Sequence, residues 1–167
     1  AYIEAYSEYF GIQSFVFRFV SWIGERYSHG VIFDFVKKLI QNPNELEILG
    51  DGKQIKSYLY VQDGIDGIFS SIYKSNEIKN VFNLGHNDQM PVINLANIIC
   101  DEMGLSNVSY LYSGGKRGWK GDSPCVHLDT EKIKTLGWEP KLDIEQSIRK
   151  TVRYLLTNNS FLGKVQK

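Results

Sequence analysis

The chain has 167 residues, 43% hydrophobic and 23% charged, and its nineteen Lys and Arg balance nineteen Asp and Glu to a formal net charge of zero. That length suits one domain burying about 70% of its unfolded surface, and the neutral balance argues against nucleic acid as a partner, which calls for a basic excess. No apolar run approaches the roughly 18 residues of a membrane span, and Cys100, Cys125, His29, His86 and His127 lack metal-ligand spacing; no membrane, no metal and a reducing cytoplasm are expected.

The predicted elements alternate between helix and strand. Tyr2, Ala5, Tyr6 and Tyr9 fall at helical spacing up to a C-capping Gly11. This helix opens at Ala1 with neither an N-cap nor an initiator Met, which reads as a cut edge. Ser14 to Val20, rich in aromatic and β-branched residues, predicts a buried strand running out into a loop at Ser21. Gly24 to Gly30 is a polar loop. Val31 opens an amphipathic helix through Phe35, Val36 and Leu39, which Pro43 stops. Glu45 to Leu49 reads as a strand ending in the turn Gly50-Asp51-Gly52, and Ser57 to Val61 as another.

Asp63 is a candidate N-cap for a helix whose inner face would carry Ile65, Ile68, Phe69 and Ile72. Val81 to Leu84 predicts a strand closed by Gly85. Pro91 suits the first turn of a helix continued by Leu95, Ile98, Ile99 and Met103 to Gly104. Val108 to Tyr112 is a strand that leads into the glycine-rich stretch from Gly114 to Gly121. Asp129 would cap a short helix ending at Leu136-Gly137. Asp143 with Gln146 is a capping-box start for a last helix burying Ile144, Ile148, Val152 and Leu155, and Lys164 to Lys167 reads as a frayed tail. The class is α/β.

Three stretches could carry chemistry. In Leu49 to Tyr60, glycines at 50 and 52 allow a tight turn and close ligand approach, and Lys56 could donate to an anionic oxygen; a plain hairpin with a solvent-facing lysine explains the same residues. In Gly114 to Asp122, Lys116, Arg117 and Lys120 stand among four glycines, which suits an anion-binding loop as well as a merely flexible one. Trp119 there needs either a packing partner or a ligand. In Arg18 to Gly24 a strand runs out where open α/β sheets place ligands, and Ser21 could donate there.

Taken in order, these stretches resemble the extended short-chain dehydrogenase/reductase family of nucleotide-sugar epimerases and dehydratases, especially members similar to UDP-glucose 4-epimerase. Ala1 to Gly11 looks like the end of the helix bearing the family's Tyr-x-x-x-Lys pair, and Arg18 to Gly24 like its Arg-Phe-x-Asn-x-x-Gly element. His29 to Phe35 resembles the helix start that holds the nucleotide sugar, and Gly50 to Asp63 the Gly-Asp-Gly to Arg-Asp-Tyr-x-x-Val-x-Asp segment. Val81 to Gly85, Arg117 to Asp122, Leu136 to Pro140 and Ile144 to Tyr154 complete the set.

The resemblance implies the end of a Rossmann-type parallel sheet (1–24), a small mixed α/β substrate-binding domain (25–160) and a tail (161–167), without the N-terminal NAD-binding half. It implies that Phe19 backs the nicotinamide of NAD, that Ser21, Gly30 and Val31 meet sugar and diphosphate, and that Leu49 lines a uracil pocket. Lys56 and Arg117 would clamp the diphosphate from opposite sides, with Asp122 near the ribose or bracing the loop. Leu136 to Pro140 would be structural.

The implied partners are a UDP-sugar, the Rossmann half in the same or a separate chain, and a second copy in a homodimer. The implied reaction is UDP-glucose 4-epimerisation through a 4-keto intermediate. A 4,6-dehydratase or decarboxylase on the same scaffold, and a split binding module without activity of its own, are the alternatives. Ser21 departs from the family's Asn, Lys56 from its Arg, and Arg117 lies further from Gly121-Asp122 than in the common Arg-x-Gly-Asp form. The chain holds neither a Gly-x-x-Gly-x-x-Gly turn nor a Tyr-x-x-x-Lys pair, so no catalytic residue is assigned and this chain alone is expected to be inactive. The Phe15 to Val20 face is expected to drive dimerisation or aggregation.

Overall fold

Strands too short to stand alone are held here in pairs, three of the four parallel. In a computed structural model that describes residues 2–123 and 125–158, helix α1 (Tyr2–Phe10) ends at Gly11, whose φ of 65° is the left-handed C-cap the sequence implied. Strand β1 (Ser14–Phe19) follows, then β2 (Ser21–Ile23), helix α2 (Val31–Gln41), β3 (Glu45–Ile48), β4 (Ile55–Lys56) and β5 (Tyr58–Tyr60). Helix α3 (Val61–Lys74), β6 (Lys79–Leu84), β7 (Met90–Pro91), α4 (Val92–Glu102) and β8 (Ser109–Tyr112) come next, with α5 (Glu131–Lys134) and α6 (Ile144–Thr157) last. The tail expected at Lys164 to Lys167 lies outside the described residues.

β1 runs parallel to β6, Ser14 opposite Lys79 and Phe19 opposite Leu84. At Val20, whose N–H donates to Leu84 O at 3.3 Å, the chain leaves β6, and β2 continues parallel to β5 from Ser21–Tyr58 to Ile23–Tyr60. β3 is parallel to β8, and only the two-residue β4 and β7 are antiparallel. Parallel pairing requires long crossovers, which the interleaved helices supply. The α/β class is therefore observed.

Two apolar clusters form. The larger gathers Ile32, Phe35, Val36 and Leu39 of α2, Leu95 and Ile99 of α4, and Ile148, Val152 and Leu155 of α6 around β3. The smaller joins Val20, Leu59, Phe82, Leu84, Ile133 and Trp138. α6 begins with the capping box read from sequence: Gln146 N–H donates to Asp143 Oδ1 at 2.7 Å and Asp143 N–H to Gln146 Oε1 at 3.1 Å. Its expected inner residues Ile144, Ile148, Val152 and Leu155 are all buried.

Several expectations give way. β1 is half-buried rather than buried, and Phe19 is exposed. The loop expected after Val20 contains β2. Val61 belongs to α3 rather than to the preceding strand, so Tyr60 is the N-cap and Asp63 lies inside the first turn. Asp63 is buried, and its Oδ2 accepts from the backbone N–H groups of Lys141 and Leu142 at 3.1 and 3.2 Å, while the Trp138 indole N–H donates to its carbonyl at 3.2 Å. It ties α3 to the Leu136–Pro140 turn, and Trp138 is buried there as expected.

The expected inner face of α3 is met in part, with Ile68 packed against the smaller cluster. Gly64, Gly67 and Ser71 face inward, whereas Phe69 and Ile72 are exposed. The cause is steric. A Cβ at Gly64 would lie 2.5 Å from the Trp22 ring and one at Gly67 2.8 Å from Trp138, so two indoles occupy the groove that an apolar face would have filled. Pro91 sits just before α4 rather than in its first turn. That turn is closed from outside, since Val92 N–H donates to Gln54 O at 3.0 Å and Ile93 N–H to Gly52 O at 2.9 Å.

Candidate functional site

A cavity of about 300 Å³ opens where the Gly50 turn, the start of α2 and the Gly114–Asp122 loop converge. Its α2 wall is Gly30, Val31, Asp34 and Phe35. Gly30 has a φ of 89°, and a Cβ there would lie 2.0 Å from the Tyr27 hydroxyl, so only glycine lets α2 begin at this point. α2 has no side-chain cap hydrogen bond and carries Asp34 in its first turn, where the helix dipole favours negative charge.

Leu49, Lys56 and Tyr58 supply the strand wall, and Val92 the floor. Lys56 and Tyr58 are two residues apart in extended chain and so share a face. Tyr58 is buried, and burial, with Tyr27 and Asp122 nearby, raises its phenol pKa above the ordinary value. Gln54 lies behind the turn, its Nε2 donating to Leu49 O at 2.8 Å while its buried Oε1 has no partner among the described residues. A Cβ at Gly50, whose φ is 82°, would lie 1.9 Å from Gln54 Nε2 and 3.1 Å from the Arg117 carbonyl carbon. The two glycine-bearing stretches seen in the sequence thus touch.

The far wall is Gly118, Trp119 and Asp122. Asp122 Oδ1 accepts from Lys56 Nζ at 2.5 Å, and its Oδ2 from Gly118 N–H at 3.0 Å. Lys56 also donates to Ser123 O. A largely buried ion pair therefore ties strand to loop, and Asp122 is a brace. Lys116, Arg117 and Lys120 have no ion-pair partner among the described residues.

The structure brings together Gly30, Val31, Leu49, Lys56 and Asp122 of the expected residues. Three are not on the cavity wall. Phe19 is exposed at the end of β1, its ring edge-on to Trp22 at 4.6 Å. Ser21 is exposed, beside Tyr58 in register. Arg117 reaches the turn with its backbone, leaving the wall to Gly118 and Trp119. Lys56 faces the Asp122 carboxylate, and the Arg117 side chain is not part of the cavity wall. Asp34, Phe35, Gln54, Tyr58, Val92, Gly118 and Trp119 also line the site; sequence reasoning assigned none of them an individual binding role, though Asp34 and Phe35 fall in the stretch likened to the nucleotide-sugar helix start and Trp119 called for a packing partner or a ligand. The signals were present for some: Phe35 is four residues from Val31 on a helix, and Tyr58 two from Lys56 on a strand.

The model of the NAD dependent epimerase/dehydratase family matches residues 1–85, just over half of the chain. The chain belongs to this family. It is 30% identical over 162 residues to a putative UDP-glucose 4-epimerase of Methanocaldococcus jannaschii, covering 95% of this chain and 50% of that protein. A dTDP-glucose 4,6-dehydratase of Haemophilus influenzae is 31% identical over 124 residues, covering 69% of this chain and 36% of that one. The crystal structure of UDP-glucose 4-epimerase with UDP-glucose from Thermotoga maritima superposes with a TM-score of 0.81 at 29% identity, covering 95% of this chain and 50% of the other. The chain spans about half the length of the epimerases it matches. Among the described residues no helix is long and apolar enough to cross a membrane, and no cluster of three His, Cys, Asp or Glu is gathered.

Proposed function

We propose that this chain is the substrate-binding part of a NAD-dependent, cytoplasmic nucleotide-sugar epimerase acting on UDP-glucose and UDP-galactose. The observation that carries the reading is the cavity itself. It has apolar walls for a base and sugar, beside a helix start without a side-chain cap, the Tyr58 phenol and a lysine for a diphosphate. The α2 N–H groups, the Tyr58 hydroxyl and the remaining Lys56 N–H receive phosphate oxygens. Arg117 adds its charge from the loop, while Leu49 and Phe35 line the base and sugar. Gly30 and Val31 let the diphosphate approach the backbone, and Ser21 meets the sugar.

NAD, when bound in the intact enzyme, would accept and return the hydride at the sugar C4. The residues present fit it only at Phe19, an exposed ring at the end of a parallel strand. This chain's own contribution is therefore to hold the sugar nucleotide in orientation. Its proposed partners are the Rossmann half and a second copy of the intact enzyme. The dehydratase relative supports 4,6-dehydration as a second reading with the same binding site.

Calorimetry separates binding from turnover: UDP should bind the chain, NAD should not, and UDP-glucose should be left unconverted. Absence of UDP binding would sink the proposal. Product analysis with the Rossmann half supplied decides between galactose and the 4-keto-6-deoxy sugar.

A further inference from the structure

Trp119 is the residue that the site as described leaves without a role. Its side chain is 66% exposed, yet it forms part of the cavity wall. Large aromatic rings are costly to leave in water, and a loop rich in glycine has no need of one for packing. The ring is nevertheless held in place. A Cβ at Gly121 would lie 2.4 Å from it, and Asp122 N–H donates to Trp119 O at 3.0 Å, so the indole folds back over Gly121 in a closed turn. Its neighbour Gly118 sits against Leu49, where an added Cβ would be 3.6 Å from Leu49 Cβ. Asp122 fixes this arrangement from below by binding both Gly118 N–H and Lys56. An indole face and a half-exposed Leu49 side chain thus flank the same end of the cavity, and the cations Lys116, Arg117 and Lys120 lie on the same loop.

We infer that Trp119 is a stacking platform for the base of a nucleoside diphosphate, with Leu49 on the other side and Gly121 as the positioning residue that lets the indole lie flat. The inference rests on the nucleotide-binding reading above and adds a specificity element to it. Planar heterocycles gain from stacking on an aromatic face whichever base they carry, so Trp119 selects for the presence of a base, while the polar end of the cavity holds the phosphates.

The test is titration of the 167-residue chain with UDP and, separately, with inorganic pyrophosphate, followed by tryptophan emission and calorimetry. Wild type is compared with Trp119→Ala, Trp119→Phe and Gly121→Ala. Trp138 is buried and Trp22 half-buried, so quenching by UDP should come from Trp119 and vanish in Trp119→Ala. That variant should bind UDP about 5- to 100-fold more weakly, with pyrophosphate affinity unchanged. Trp119→Phe should recover most of the loss. Gly121 has no left-handed backbone, so Gly121→Ala shifts the ring without straining the chain and should fall between. Equal UDP affinity in wild type and Trp119→Ala would overturn this inference and leave the nucleotide-binding reading intact. Parallel loss of UDP and pyrophosphate would also overturn it, by showing that Trp119 shapes the loop instead. If wild type binds neither ligand, both readings fall.

Discussion

Tyr58 and Asp122 show how much one atom can decide in this site. Tyr58 is a buried residue of the cavity wall, and a hydrogen bond from its hydroxyl to a charged oxygen would contribute about 1.5–3 kcal/mol. Tyr58→Phe should therefore weaken UDP binding roughly tenfold or more at unchanged stability, read by calorimetry and thermal denaturation; equal affinity would remove the hydroxyl from the site. Asp122 joins its loop to the strand through Lys56 and closes the loop on itself through Gly118 N–H, so Asp122→Ala should loosen the loop. Faster hydrogen exchange at Gly118 N–H would show it, and an unchanged rate would deny Asp122 its bracing role. At this scale the sequence was legible wherever a residue's backbone sets its position: Gly30, Val31, Leu49 and Lys56, from separate motifs, line one cavity. It was less legible where pairing decides. Nothing in the spacing says that Lys56 and Asp122, 66 residues apart, neutralise each other.

Helix α3 is the element where pattern and packing part. Its isoleucines and phenylalanine suggest an inner face, but Trp22 and Trp138 claim the groove, and only Gly64 and Gly67 fit beneath them. Gly67→Ala should cost about 1–3 kcal/mol by overpacking, measured by denaturant unfolding, against the small gain expected of Gly→Ala in an unobstructed helix. α6 was readable end to end because its capping box and its apolar spacing are local signals. Its tie to α4 was not. Arg153 and Arg149 hydrogen-bond Glu102, Arg149 at 3.2 Å, and together they hold that carboxyl below its ordinary value. With the folded pKa depressed, the pair stabilises the chain above the unfolded value of 4.5 and loses this as pH falls through the folded one. Glu102→Gln should lower the melting temperature at neutral pH and converge on wild type in acid. A constant difference across pH would contradict the pairing.

For the molecule as a whole, the apolar surface is distributed differently from the expectation placed on Phe15 to Val20. β1 buries part of each of its first four residues, while Tyr2, Tyr6, Tyr9 and Phe10 of α1 and Phe69, Ile72 and Tyr73 of α3 stand exposed. Contiguous apolar faces of this kind favour association. The chain by itself should be dimeric or larger by light scattering, and polar replacement of Tyr6 and Tyr9 should reduce that association more than replacement of Phe15. A monomer at all concentrations would contradict both. The α/β alternation was legible because turns, caps and periods are local. The switch of β1 and β2 from one partner strand to another was not, because it depends on which neighbours the crossovers deliver.

On the proposed reading, this cavity holds the nucleoside diphosphate of a sugar nucleotide. Calorimetric titration of the chain with UDP, repeated on Lys56→Ala, tests it most directly. Saturable UDP binding that weakens about tenfold or more in Lys56→Ala, without NAD binding in either protein, is the result expected. UDP binding indifferent to Lys56, or no UDP binding at all, would contradict the account.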